Sequence, residues 1–241
     1  PAAGTRELVI RDSWNDCPIP GCPFPRAHQA AKFDRAGFRG AGTAVPVFSL
    51  RSEEDFGIGE FHDLKYLVDW AVKTGQCIIQ ILPINDTTRK GEWKDSYPYS
   101  PVSSFALHPI YIHLQDIGIK ETAAFKKEQQ ALNALPEIDY PRVYKSKMAL
   151  VRKAFEARGQ KDLESAACRK FVKENAYWLD EYAEFCAKRD GNEPEYHKWI
   201  QFHLDKQLSA QVKYARSKGI SLKGDLPIGV SQDSADAYYH P

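Results

Sequence analysis

Long apolar runs are missing from this sequence of 241 residues. No stretch approaches the roughly 18 consecutive apolar residues that cross a bilayer, and the opening PAAGTRELVIRDSW has neither a basic nor an apolar targeting segment. Blocks of like charge are absent too. Thirty-three Lys and Arg face 32 Asp and Glu, for a formal net charge of +1, which excludes a duplex nucleic acid or an anionic membrane as the main partner and favours a neutral ligand. Cysteine is scarce: Cys17, Cys22, Cys77, Cys168 and Cys186 are odd in number and scattered, so no disulfide framework is implied and the cytoplasm is the expected location. No CxxC or HxxxH follows Cys17 and Cys22, so no metal is expected there. Missing as well are HExxH, a GxGxxG after a strand, a P-loop and GxSxG, which removes support for zinc proteolysis, dinucleotide binding, phosphate-loop chemistry and the serine-hydrolase elbow.

Aromatic residues, by contrast, reach 12%, with five Trp and twelve Tyr, and aromatic faces serve both core packing and the apolar faces of sugars. Residues 1–41 are rich in Pro, Gly and Arg without helical or strand period, and read as a linker or approach segment. The run AGTAVPVFSL from Ala41 reads as a first strand, with Val45 to Leu50 as its paired part despite Pro46. Leu64, Leu67, Val68 and Ala71 then recur at helical spacing, Gly75 stops the helix, and Cys77 to Leu82 is a nearly continuous apolar strand. That order predicts a parallel sheet. Gly75 precedes Leu82-Pro83-Ile84 by the interval that separates Gly219 from Leu226-Pro227-Ile228, so the helix with Leu204, Leu208, Val212 and Ala215 and the strand Ile220 to Gly224 repeat the unit. Leu222 is expected to fill core volume. Between the two units, about 120–190 is helical in pattern and reads as an inserted subdomain.

In parallel α/β folds ligands gather at the carboxyl ends of the strands, which here brings forward Asn85-Asp86 and Asp225. The pattern alone leaves Asp225 either a loop cap or a ligand contact. KGEWKDSYPYSPVSSFALHPIYIHL, aromatic and punctuated by proline, suits a binding loop. His108, His113, His197 and His203 lack ligand-like spacing, and Asp233 and Asp236 of DSAD read as a loop and helix start.

Four stretches in order, VPVFSLRSEEDFGIGEFHDLKYLVDWA, QILPINDT, DSYPYSPVSSFALHPIYI and LKGDLPIGVSQDSAD, closely resemble the 4-α-glucanotransferases, also called amylomaltases or disproportionating enzymes, of glycoside hydrolase family 77 in the α-amylase clan. EWKDSYPYS is most similar to the branch whose cytosolic members act on maltose and branched glucans, often behind starch-binding modules. The resemblance implies a fold class of α/β, with 42–241 as the first three or so βα units of a TIM (β/α)₈ barrel. It also implies retaining transfer of α-1,4-glucan segments between maltose, malto-oligosaccharides and glycogen or starch, without metal or organic cofactor. Asp225 matches an aspartate that contacts the sugar at the cleavage subsite, and Tyr99 a tyrosine packed on that sugar. The family's nucleophile and acid/base belong to motifs expected beyond Pro241. Retaining chemistry needs two carboxylates about 5 Å apart, so this chain alone is expected to be inactive. Two alternatives remain: an α-glucan hydrolase of the same clan, and a non-catalytic glucan-binding or structural fragment.

Overall fold

Two helices of this chain end in the same way. In a computed structural model, which describes residues 40–241, α1 (Leu64–Lys73) and α5 (Pro194–Ser217) both terminate at a glycine with positive φ, +69° at Gly75 and +74° at Gly219. After each glycine the next amide folds back on the last turn, Gln76 N to Ala71 O and Ile220 N to Ala215 O, both at 2.9 Å. Each glycine amide meets the carbonyl one residue further on, Val72 and Arg216, at 3.2 and 3.0 Å. This is the Schellman closure, which needs a left-handed residue that only glycine supplies without strain.

Each closure turns the chain into a strand. β1 (Gly42–Val45), β2 (Ile78–Ile81) and β3 (Ser221–Lys223) form one parallel sheet in the order β1-β2-β3, with Ile79 registered between Thr43 and Leu222. The repeated unit is therefore real. The first strand is earlier than expected, at Gly42–Val45 in place of Val45 to Leu50, and Val47–Ser49 forms a 3₁₀ turn. Pro46 explains the shift: it has no amide to continue the ladder, and its carbonyl accepts from the amide and the hydroxyl of Ser49 at 3.1 and 2.8 Å. Leu222 is half-buried at the core edge, not core filling, and Ile220, 3% exposed, carries the buried side chain.

Between β2 and β3 the chain builds α2 (Ala123–Asn133), α3 (Tyr140–Leu163), α4 (Ala166–Asp190) and α5, and a short α6 (Ala235–Tyr239) follows β3. Thr122, Asp139 and Ser165 start α2, α3 and α4 by accepting the amides of Phe125, Arg142 and Cys168, as N-caps do. Val143, Val151 and Ala154 of α3 share one core with Ile79, Ile81, Leu64, Val68 and Leu204, while Leu179, Tyr182 and Cys186 of α4 form a smaller cluster with Val102 and Ala106. Helices and sheet are thus packed by apolar faces that their spacing announces. Among the described residues no helix is long and apolar enough to cross a membrane. The expectations for Cys17, Cys22 and all but the last two positions of 1–41 lie outside the described residues.

Candidate functional site

Three parallel strands release their loops at one end, and the two longest of interest are 82–122 after β2 and 224–234 after β3. The first divides into a core half and an open half. Val102, Ala106, Ile110, Ile112 and Leu114 are at most 1% exposed. Two glutamines of α5 hold this half by its backbone. Gln201 accepts from the Leu107 amide and donates to its carbonyl, both at 2.8 Å, and Gln207 treats His113 in the same way at 2.8 and 3.0 Å. On one side Leu107 bridges antiparallel to Asn85, and on the other each glutamine supplies the donor and acceptor that a second strand would have supplied, so the stretch can be buried. The second part of 90–114, expected from the sequence to be a binding loop, is therefore part of the core.

That first part is wrapped around a carboxylate. Asp95, 2% exposed, accepts on one oxygen from the amides of Arg89, Lys90 and Gly91 at 3.0, 2.9 and 2.7 Å, and Thr87 donates its hydroxyl to the Asp95 carbonyl. The amides converge on the negative charge and leave Trp93 and Tyr97 outside, 56% and 59% exposed. Beside them lies a cavity of about 140 Å³ lined by Trp93, Ser96, Pro98, Asn85, His108 and Tyr140 among others. Burial holds His108 below the usual imidazole range.

Tyr99 and Asp225 meet. The Tyr99 hydroxyl donates to Asp225 Oδ2 at 2.9 Å across 126 positions of sequence, and the other Asp225 oxygen accepts from the Leu226 amide at 3.0 Å. The bond to the carboxylate pushes the Tyr99 phenol above its ordinary range. Both side chains are half-buried, and the Tyr97 ring lies 5.8 Å from that of Tyr99, tilted by 54°. An open carboxylate flanked by aromatic faces can accept from sugar hydroxyls while a ring covers the C–H face.

Asp86 is different, although the sequence places it at an equivalent strand end. It is closed to solvent, accepting from the Tyr182 hydroxyl at 2.7 Å and the Thr88 amide at 2.9 Å, while Asn85 donates to the Ser104 carbonyl at 2.8 Å. Asp86 is spent holding loops to each other, while Asn85 does the same through its NH2 and also lines the cavity. The histidines His108, His113, His197 and His203 are all buried. Sequence reasoning passed over Asp95 and the Asp86–Tyr182 pair. Asp95 had a signal, since Glu92 and Asp95 stand at capping-box spacing and each accepts from the other's backbone.

One group among the described residues brings three metal-type ligands close: His62, His113 and Asp116. Its geometry is wrong for coordination. The two imidazoles are stacked at 4.1 Å and 13°, so their in-plane lone pairs run side by side and do not converge, and Lys65 Nζ sits 2.5 Å from His62 Nε2.

Comparison with known proteins places this geometry. The family described as 4-alpha-glucanotransferase matches residues 45–195 and 187–241. The chain is 42% identical over 238 residues to the 4-alpha-glucanotransferase DPE2 of Oryza sativa subsp. japonica, covering 85% of this chain and 25% of that protein. It is 30% identical over 232 residues to the 4-alpha-glucanotransferase of Chlamydia muridarum, covering 83% of this chain and 43% of the relative. Amylomaltase from Corynebacterium glutamicum superposes with a TM-score of 0.73 at 25% identity, over 83% of this chain and 32% of that one. Amylomaltase from Streptococcus agalactiae, in complex with acarbose, gives 0.70 at 25% identity, over 84% and 46%. This sequence thus spans less than half the length of each of these relatives. With both the ordered motifs and the parallel-sheet fold in agreement, the chain belongs to the 4-α-glucanotransferase family, glycoside hydrolase family 77.

Proposed function

We propose that residues 42–241 are the sugar-contacting first portion of a (β/α)₈ catalytic domain, with about 120–190 as a helical insertion, in a longer cytoplasmic 4-α-glucanotransferase. It moves α-1,4-glucan segments or glucosyl units between maltose, malto-oligosaccharides and glycogen- or starch-like acceptors with retention, and uses no metal or organic cofactor. The observation that carries this reading is the Tyr99–Asp225 contact, which joins a tyrosine ring to a half-buried carboxylate between the loops that follow β2 and β3. Of the carboxylates in these strand-end loops, Asp86 and Asp95 are buried and engaged with hydroxyl and amide donors. Asp225, half-buried beside Tyr99, is the sugar contact that the family resemblance implies, and the two carboxylates of a retaining mechanism belong to the rest of the catalytic domain.

The test is product analysis of the full-length protein with maltotriose. Longer oligosaccharides identify transfer, whereas glucose and maltose alone identify hydrolysis. Tyr99→Phe should weaken transfer, and loss of acarbose binding in Asp225→Asn locates the sugar at this pair. Unchanged transfer and unchanged acarbose binding in both variants would refute the assignment.

A further inference from the structure

We propose that Asp236 is a positioning residue for the sugar site: by holding Ser104 it fixes the loop that carries Tyr99 against the loop that carries Asp225. The proposal rests on the reading of Tyr99 and Asp225 as glucan contacts.

Asp225 sits on a weakly anchored piece of chain. Two residues after β3 ends, the segment runs out through Leu226, Ile228 and Val230, which are 70%, 94% and 41% exposed, so their side chains pack little against the described residues. The hydrogen bonds that reach the Asp225 carboxylate come from Tyr99 and from the amide of its own neighbour Leu226. Neither ties the segment to the core. What aligns the two loops lies downstream, where the Ser231 amide donates to Pro101 O at 3.0 Å and the Ala235 amide to Val102 O at 2.8 Å. Asp236 then closes the seam, one oxygen accepting both the amide and the hydroxyl of Ser104 at 2.9 and 2.5 Å.

These contacts differ in kind. The two backbone bonds join atoms that every residue has. The Asp236 pair is charge-assisted and depends on one side chain, reaching across 132 positions to a residue five beyond Tyr99. Val102 and Ala235, at 0% and 3% exposure, make the seam dry, so releasing Ser104 loosens its outer end without opening the core. Asp236 is half-buried, in the first turn of α6, and touches neither Tyr99 nor Asp225 by hydrogen bond. Its action on the sugar passes through the relative position of the two loops. A displacement of about 1 Å at a positioning contact can cost on the order of 100-fold in rate, which is the scale on which such a fastening matters.

The experiment uses the full-length protein with maltotriose as substrate, comparing Asp236→Ala, Asp236→Asn, Ser104→Ala, Tyr99→Phe and the double variant Asp236→Ala/Tyr99→Phe by steady-state kinetics and thermal melting. Asp236→Ala should lower kcat about tenfold or more with little change in KM and a melting shift of only a few degrees. Asp236→Asn, whose amide oxygen still accepts from Ser104, should recover most of the loss. In the Tyr99→Phe background the Asp236→Ala effect should shrink to less than about threefold, because the contact it serves is already gone. If Asp236→Ala does not fold, Ser104→Ala, which removes the hydroxyl bond, carries the same comparison with Tyr99→Phe. Normal kcat in the folded Asp236 and Ser104 variants overturns the proposal, as does an effect that multiplies undiminished with Tyr99→Phe. Normal turnover in Tyr99→Phe also overturns the proposal, because Asp236 then has no contact to serve, whereas the glucan reading of the site falls only if Asp225→Asn is unchanged as well.

Discussion

Lys147 places its ammonium 2.5 Å from Glu60 Oε1, and neither side chain is more than 1% exposed. The same ammonium donates to Ile110 O at 2.6 Å, and the second Glu60 oxygen lies 2.6 Å from His113 Nδ1. Glu60 precedes the turn that opens into α1, and Lys147 lies in the middle of α3, so one buried ion pair fastens the β1–α1 connection, α3 and the clamped loop together.

Removing one member of that group should cost far more than removing both. Lys147→Met leaves the Glu60 charge buried with no cation but the neighbouring imidazole, and a loss of about 3–5 kcal/mol is expected. Glu60→Gln combined with Lys147→Met should recover at least half of it. Denaturant midpoints at unchanged slope would measure both, and additive losses would show that the pair is not coupled.

Buried titratable groups here oppose one another in acid. Burial pushes His197 down to about 4, so the unfolded chain takes its proton first as pH falls through 6.5, and stability is lost between about 6.5 and 4. Burial pushes Asp55 up to about 6 from 3.8, so its contribution is full below 3.8 and is lost as pH rises toward 6. Each amounts to about 3 kcal/mol, with opposite sign over an overlapping window. His108 and His203, held low by burial, add to the acid loss. For His113 burial acts against the charge, but its bond to Glu60 outweighs this and holds it high, which favours acid. His197→Gln should therefore flatten the loss of stability between pH 6.5 and 4, and Asp55→Asn should steepen it. Parallel pH profiles for both variants and the unsubstituted protein would contradict the assignment.

The side-chain clamps on the 101–114 stretch predict a third effect. Gln201→Leu keeps the volume but strands the Leu107 amide and carbonyl, for about 2–4 kcal/mol, since each unsatisfied buried group costs about 1–3 kcal/mol. Gln201→Glu keeps the acceptor but sets a buried carboxylate against the Leu107 carbonyl, so it should lose at least as much near neutral pH and less in acid, where the protonated group can donate. A melting series on these two variants would decide between a lost hydrogen bond and lost packing.

The features legible in the sequence are those whose physics is local. Gly75 and Gly219 announced their turns because a left-handed helix end selects glycine, and the strands that follow them were found within a residue or two. The apolar pattern carries the first strand through Pro46, although a residue without an amide ends a ladder. Asp86 and Asp225 look alike as acids after apolar strands. Both accept from a distant tyrosine, and what separates them is burial: Asp86 is closed off under Tyr182, 96 residues away, while Asp225 beside Tyr99 stays half-buried. Spacing could not show that Tyr99 touches Asp225, nor that Gln201 and Gln207 would do the work of a strand. Only the resemblance singled out Tyr99, because its value lies in a partner 126 positions away.

In the full-length protein, Asp225→Asn should cost far more in turnover than in folding. Asparagine keeps an acceptor for the Leu226 amide and can turn its NH2 to the Tyr99 oxygen, which then accepts instead of donating, and the segment around it is largely exposed, so the melting temperature should move by no more than a few degrees. A sugar bound at this carboxylate is held more tightly as positive charge develops at its anomeric centre, so loss of the negative charge removes binding specific to the transition state. A few kcal/mol of that binding corresponds to about 100-fold or more in kcat. Steady-state transfer rates and thermal melts on one preparation give both numbers. If Asp225→Asn melts many degrees lower while its surviving folded fraction turns over normally, Asp225 caps the β3 loop and does not bind sugar.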